Sequence, residues 1–392
     1  MQKYSQQQLA EMYAGKQRPV CGCTKPGVEM YIAKVGDQYI IKRMPESGAQ
    51  HAPTCDSYEP PAEVSGLSEV LGTAIRPTAD GAVDLKVGFS LSVSKGDPKT
   101  RTSTNKGDKP KDLTPKDDQG PTNKLSLLAM LHYFWTEAGL NRWSPRVKDK
   151  RGWNYCRVLL QNAAAGLHAG KYNLSARLFI PRSFADSQRE EVKREWQTLI
   201  SASAGTTKTQ PLLMLLGELK AFKPTKWGYQ MQIKHAPDAV FSLKTEVHDK
   251  LSERYPDEFA LMDTPGVRLI ILATFRTIPA GVSFIEDMAI MAVTDRLLPF
   301  ESANEKALID QLVADDRLFL RGLRFNLPKS RPLASAVLLD TKPAATALYT
   351  VPADADGNYH AELDLLIRKS QYAAWQWDTN EFDVPALPPR AA

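Results

Sequence analysis

Cys21-Gly22-Cys23 and His51-Ala52-Pro53-Thr54-Cys55 bracket the segment whose reading decides the fold of the first part of the chain. Between them, Val28–Val35 (VEMYIAKV) and Tyr39–Met44 (YIIKRM) read as strands joined at Gly36-Asp37, a hairpin turn signal. A hairpin folds back on itself, so its two ends, and with them the C-x-C and H-x3-C pairs, arrive side by side. Three thiols and one imidazole in that arrangement suit a tetrahedral site: one structural Zn2+ held by Cys21, Cys23, His51 and Cys55 at the base of the hairpin. The first spacing is tighter than the usual C-x2-C, and the alternative is a set of reduced cysteines beside a surface histidine. Three of the four cysteines share this segment with the histidine, which favours metal.

Composition sets the frame. At 392 residues the chain has room for about two or three cores, and 43% hydrophobic with 24% charged residues is ordinary for a globular protein. A net charge of +5 is compatible with a nucleic-acid partner without arguing for one by itself. The opening MQKYSQQQLAEMY has no apolar core, so it does not read as a signal peptide. The longest apolar runs, Leu212–Leu216 and Leu269–Ala273, fall far short of the roughly 20 residues of a membrane helix, so no membrane partner is expected. The expected setting is cytoplasmic, where clustered cysteines stay reduced and favour metal over disulfide.

The expected class is multidomain α+β. Residues 1–94 read as the zinc-binding β-rich unit. Residues 95–123 read as a flexible basic linker, since Ser94–Lys124 carries eight Lys or Arg against five Asp and almost nothing apolar. A helical segment at 124–206 follows, with Leu125, Leu128, Leu131, His132 and Trp135 on one helical face. A β-rich segment is expected at 207–298, an α/β segment at 299–378, and a proline-rich tail at 379–392 that folds onto little.

Two stretches interleave cations and rings. Arg142, Arg146, Lys150 and Arg151 accompany Trp143, Trp153 and Tyr155; Lys220, Lys223, Lys226 and Lys234 accompany Phe222, Trp227 and Tyr229. Cations would take phosphate charge while exposed rings stack on bases, with Trp227 and Tyr229 as the stacking pair. The alternative is that the rings are core and the cations merely solubilise. Glu218-Leu219-Lys220 has an E-x-K spacing that an undistorted strand would point to one face, but E-x-K recurs by chance and no acidic partner precedes it. No Gly-rich phosphate loop, G-x-S-x-G elbow or H-E-x-x-H is present.

The residues CGC, KRMPESGAQHAPTCDSYEPP, GELKAF, ATF, PFES, LRFNLP and RPLASAVLLDT carry a resemblance that covers most of the chain. They resemble a family of uncharacterised bacterial proteins marked by three cysteines near the N-terminus, which map to Cys21, Cys23 and Cys55. The resemblance implies a setting on plasmids and integrated mobile elements, and no activity. From Glu301 to Trp377 the expected helix–strand order resembles the restriction-endonuclease-like core, whose acids hold Mg2+. Glu301 or Glu305 and Asp340 match its acidic positions, but the next strand, Ala-Leu-Tyr-Thr-Val, lacks the acid and lysine, as in a degenerate copy. The functional expectation is therefore a zinc-binding, nucleic-acid-associated accessory protein of a mobile element without catalysis of its own. Two alternatives remain: a metal-dependent nuclease using Glu218, Lys220 or Asp340, and a protein-interaction factor of a conjugation or integration apparatus.

Overall fold

The strand Leu213–Thr225 organises the middle of the chain in the computed structural model, which describes residues 4–78, 82–94, 123–202, 209–278, 281–381 and 383–391. Its first half pairs antiparallel with Val267–Thr277 and its second half with Gly228–Ile233. The hand-over comes at a register shift between Leu219 and Ala221, an irregularity of the kind that bends a strand. Gly228–Ile233 pairs with Phe241–Leu243, which lies parallel to the start of Ser283–Thr294, and that strand pairs antiparallel with Val267–Thr277. The five strands thus close into a barrel, with the short strand Leu178–Phe179 laid parallel against Leu213–Thr225. Closure leaves none of the five with an open edge along its full length.

The barrel is unevenly covered. The runs Leu269–Phe275 and Met288–Thr294 are buried throughout, because the barrel core takes one face and the helix Leu127–Glu137 packs against the other. Such strands read as continuous apolar runs rather than alternating ones. The helix itself is buried all round from Ala129 to Thr136, not on the single face expected from the sequence, as befits a helix between sheets. At one end of the barrel, Trp196 of Arg189–Ala202 packs on Phe179, Phe241 and Phe275, with ring centroids 5.1, 5.1 and 5.5 Å away. Towards the other, Phe259 of Pro256–Ala260 stacks on Phe222 at 5.4 Å, and His248 of Thr245–Arg254 lies flat on Tyr229 at 3.6 Å.

A second mixed sheet runs Arg142–Trp143, Phe319–Arg321, Ala336–Leu338, Thr346–Val351, Ala373–Asp378. Its neighbours are antiparallel except the last pair, which is parallel and joined through the helix Gly357–Lys369. The α+β class is as expected, but the segments are interleaved. Arg142–Trp143 joins the C-terminal sheet, Leu178–Phe179 joins the barrel, and Val83–Leu85 pairs with Leu167–Ala169. One cluster of buried apolar residues reaches from Leu67 to Trp377. The proline-rich tail is also more engaged than expected. Arg317 donates to the Pro388 carbonyl and the Ala391 N–H to that of Asp340, because prolines keep their acceptors. The expected linker, apart from residue 123, lies outside the described residues. Among the described residues no helix is long and apolar enough to cross a membrane.

The N-terminal hairpin forms as the sequence predicts, with Val28–Val35 paired to Gln38–Arg43 and Val20–Cys21 added at the edge. The helix Gln6–Ala14, closed by a reciprocal Ser5–Gln8 capping box, clips to it through two hydrogen bonds between Gln6 and the Tyr39 backbone. Lys42 reaches the other way and donates to the carbonyls of Ala163 and Ala165, at the C-terminal end of the helix Trp153–Ala164, where a cation is favoured.

Candidate metal centre

The hairpin delivers Cys21 and Cys23 to the loop that carries His51 and Cys55. Cys21 ends the edge strand, and the chain turns sharply past Gly27, where a Cβ would lie 2.4 Å from the Val20 side chain and 2.8 Å from the Cys21 carbonyl. Only glycine fits that approach. The one-turn helix Gly48–Gln50 then sets His51, and the Cys55 N–H donates to the Ala52 carbonyl at 2.8 Å, curling the loop back on itself.

Four ligand atoms converge, all within 4.8 Å of one another. Cys21 Sγ is 3.8 Å from Cys55 Sγ, and His51 Nδ1 is 3.3 Å from Cys23 Sγ and 3.7 Å from Cys55 Sγ. A tetrahedron with metal–sulfur bonds of about 2.3 Å has sulfur–sulfur edges of about 3.8 Å. These separations are therefore those of a coordination polyhedron, and the sulfur–sulfur one is nearly twice a disulfide bond of about 2.05 Å. The donor set of three soft thiols and an imidazole fits a divalent metal of the zinc type.

The surroundings suit the ligands. The Ala52 N–H points at Cys23 Sγ and the Ser57 N–H at Cys55 Sγ, each at 3.5 Å, so backbone dipoles face the sulfurs. Burial raises the Cys23 thiol, but the Ala52 N–H and the neighbouring thiols outweigh it and leave the group below its ordinary value. Burial pushes Cys55 up to about 11. Burial, and then the charge of Arg43, lower His51, which keeps the imidazole neutral as a ligand must be. His51 Nε2 is buried without a hydrogen-bond partner, so Nδ1 is the nitrogen that faces the sulfurs.

Arg142, expected from the sequence to contact phosphate, holds this loop instead: it donates to the Cys55 carbonyl at 2.8 Å and to that of Pro53 at 3.4 Å. Arg151 is likewise turned inward. It is 6% exposed and donates to the carbonyls of Leu140, Arg142, Arg296 and Leu297, so it cannot reach a phosphate. Trp143 and Trp153 are buried in the same region. Of the residues named in that stretch, Arg146, Lys150 and Tyr155 stay on the surface.

The second stretch keeps its cations outside. Lys220, Lys223 and Lys226 are exposed, and Trp227 is 82% exposed at the tip of the turn between Leu213–Thr225 and Gly228–Ile233. Lys226 Nζ lies over the Trp227 ring at 5.0 Å. Lys234 is exposed but pairs with Glu218 at 2.7 Å. Tyr229 departs from the expectation of a stacking pair, since its ring already stacks on His248 at the barrel end. Strand period two does hold for it, but it points Tyr229 inward with Met231 and Ile233.

The acids considered for nuclease chemistry are all engaged elsewhere. Asp340 takes the Arg317 guanidinium on both oxygens, at 2.9 and 3.0 Å, and the Leu318 N–H at 2.9 Å. Glu305 accepts from Arg321 and Ser335, each at 2.8 Å, and Glu301 from Arg324 at 2.6 Å. Glu218, 4% exposed, sits among Lys234, His235 and Arg268. Lys220 is on the surface rather than beside it, because the register shift after Leu219 breaks the alternation.

Sequence spacing gave no sign of Ala52, Ser57 and Arg142 as supports of the centre, since the first two act through their own N–H groups and Arg142 donates its guanidinium to loop carbonyls. The fold and site together define a mixed α+β protein with a closed five-stranded barrel and, at an N-terminal hairpin, a Cys3His cluster whose ligand atoms lie close enough to hold a metal ion. The family model described as a protein of unknown function, DUF1173, matches residues 2–380, and the chain belongs to that family. No curated protein and no solved structure matches it.

Proposed function

We propose that the protein is a zinc-stapled, nucleic-acid-associated accessory factor of a bacterial mobile element, working in the cytoplasm without catalysis of its own. Zinc is the metal because three thiolates and one imidazole at tetrahedral spacing make a closed structural set with no position left for substrate. The observation that carries the nucleic-acid reading is the Lys220–Trp227 run, where Lys220, Lys223, Lys226 and Trp227 all stand exposed on one barrel hairpin. An exposed ring beside cations offers a stacking surface and phosphate charge together, the combination that nucleic-acid binding uses. The engaged state of Asp340, Glu305 and Glu218 supports the absence of cleavage, since each would have to leave an arginine or lysine before binding Mg2+.

The test is equilibrium binding to mixed single- and double-stranded DNA and RNA over a salt series. Binding at low salt is expected to weaken as salt rises, and Lys223→Ala/Lys226→Ala should reduce the log–log slope by about 0.7–0.9 per lost phosphate contact. Absence of binding to every form defeats the reading. Mg2+-dependent cleavage lost in both Glu218→Ala and Asp340→Ala would install the nuclease in its place.

A further inference from the structure

We propose that the barrel binds single-stranded nucleic acid, laid across the face made by the second half of its first strand and by its second and third strands, with one base stacked on Trp227. This rests on the nucleic-acid reading above and goes further by naming the form of the ligand and its path. Taken in chain order, the first barrel strand pairs with both the second and the fourth, the third and fifth run parallel, and the helices Thr245–Arg254 and Pro256–Ala260 lie between the third and fourth. That is the strand order of the oligonucleotide/oligosaccharide-binding barrel, which takes its ligands on the face of the second and third strands and at the loop joining the first two.

Among the described residues that face is the part of the barrel away from the helix Leu127–Glu137, and the helix Thr245–Arg254 meets it at the Tyr229 end. The fourth and fifth strands lie under the helix Leu127–Glu137, whereas the second and third alternate. Met231, Ile233, Phe241 and Leu243 point inward and are buried. The register sets Lys223 opposite Gln230, and Gln230 opposite Ser242, so these three form one outward row, with Gln232 two residues along the same face. Lys223 is exposed and the other three are partly so. Amides and hydroxyls of this kind can meet the Watson–Crick edges of bases, which pairing occupies in a duplex and a single strand leaves free.

The loop joining the first two strands carries Lys226 and Trp227, and it is rigid for a stated reason. Gly228 has φ +125°, and a Cβ there would lie 2.3 Å from the Leu243 carbonyl, so the turn is pressed against the third strand. Thr225 fastens it further: its hydroxyl donates to the Gly228 carbonyl at 3.1 Å and accepts from the Trp227 N–H at 3.3 Å. Trp227 is therefore presented in advance, with little ordering cost left for binding. The charge also fits. From Lys220 to Lys244 the chain has five lysines and one acid, Asp238, which Arg189 already holds.

Fluorescence anisotropy with full-length protein tests this, using oligothymidylate, oligouridylate and a mixed-sequence duplex of matched length, each about 16 nucleotides. At least one single strand should bind about tenfold or more tighter than the duplex, and the two single-strand arms separate DNA from RNA. Trp227→Ala should weaken that strand about tenfold at unchanged salt slope, since it removes stacking and no charge, while Trp227→Phe should retain most of the affinity. Gln230→Glu/Gln232→Glu should weaken it too, with the melting temperature preserved because both side chains point outward. Duplex binding as tight as the single strand, or Trp227→Ala binding like wild type, overturns this inference while the broader reading survives. No binding to any nucleic acid defeats both.

Discussion

The N-terminal hairpin and the barrel are both β units, and they bury apolar surface to unequal extents. Among the described residues the buried apolar cluster at the Cys/His site is Cys21, Val28 and Met30, with Cys23, Ile41 and Cys55 against them; Tyr31, Ile32 and Ala33 are buried further along the hairpin, and Gln38–Arg43 has no fully buried residue. Each buried apolar side chain contributes about 1.5–3 kcal/mol. Ordering a residue costs about 1–2 kcal/mol. A few such side chains cannot offset the ordering of the loops on either side of the ligands. The barrel runs Leu269–Phe275 and Met288–Thr294, buried without interruption, carry their own order. The hairpin is further tied to the body by polar anchors, Lys42 to two carbonyls and Arg43 to Glu59 at 2.8 Å and Glu137 at 3.3 Å. With a metal held by the four ligands, the difference would be that between a unit ordered by ligation and one ordered by hydrophobic burial.

Removing the metal should break the comparison most sharply. Structural zinc contributes on the order of 10–16 kcal/mol of apparent binding free energy in zinc-finger peptides at neutral pH, so its loss is expected to unfold the ligand loops outright. Wild-type protein should carry about one zinc per chain, and Cys23→Ser or exhaustive chelation should abolish it. Amide hydrogen exchange should then rise across Val20–Cys55 and stay slow across Val267–Thr294. Full zinc retention by Cys23→Ser, or loss of protection in both regions together, would erase the distinction.

The converse experiment strikes the barrel. Phe275 is fully buried and packs its ring against Phe241 and Trp196. Phe275→Ala should cost about 3–5 kcal/mol of global stability through lost transfer energy and an unfilled cavity. Zinc content of the folded fraction should not change. Chemical denaturation followed with zinc analysis at each concentration separates the two regions, and co-loss of zinc at the lowest concentrations would count against their independence.

The two regions were also unequally legible. The metal centre could be read because a tight turn at Gly36-Asp37 makes its geometry local: whatever flanks a hairpin meets. The barrel region was expected as a β-rich segment at 207–298, without its closure. Closure depends on Leu213–Leu219 meeting Val267–Thr277 and on Phe241 meeting Ser283, contacts far apart in sequence with no residue pattern to announce them. The same limit misplaced the aromatic pair. Trp227 and Tyr229 share a strand parity only if both lie in the strand, and Trp227 lies in the turn before it. Arg142 and Arg151 read as surface cations because sequence cannot tell a guanidinium facing water from one facing carbonyls.

The smallest expected effect concerns Arg142, the residue that ties the loop of the metal cluster to the C-terminal sheet. It lies in the strand Arg142–Trp143, paired with Phe319–Arg321, and its guanidinium reaches the loop between His51 and Cys55 through the carbonyls of Pro53 and Cys55. Arg142→Met keeps most of the side-chain bulk and removes those donors, at an expected cost of about 1–3 kcal/mol for charged hydrogen bonds. Stoichiometry should stay near one zinc, because all four ligands remain, while the rate at which a chelator extracts the metal should rise as the loop loosens. A phosphate-contacting arginine would behave differently. Its loss would lower the salt slope of nucleic-acid binding and leave zinc extraction unchanged. Measuring both on one variant therefore decides whether this cation serves the metal loop, as its hydrogen bonds indicate, or the ligand surface its neighbours in sequence suggested.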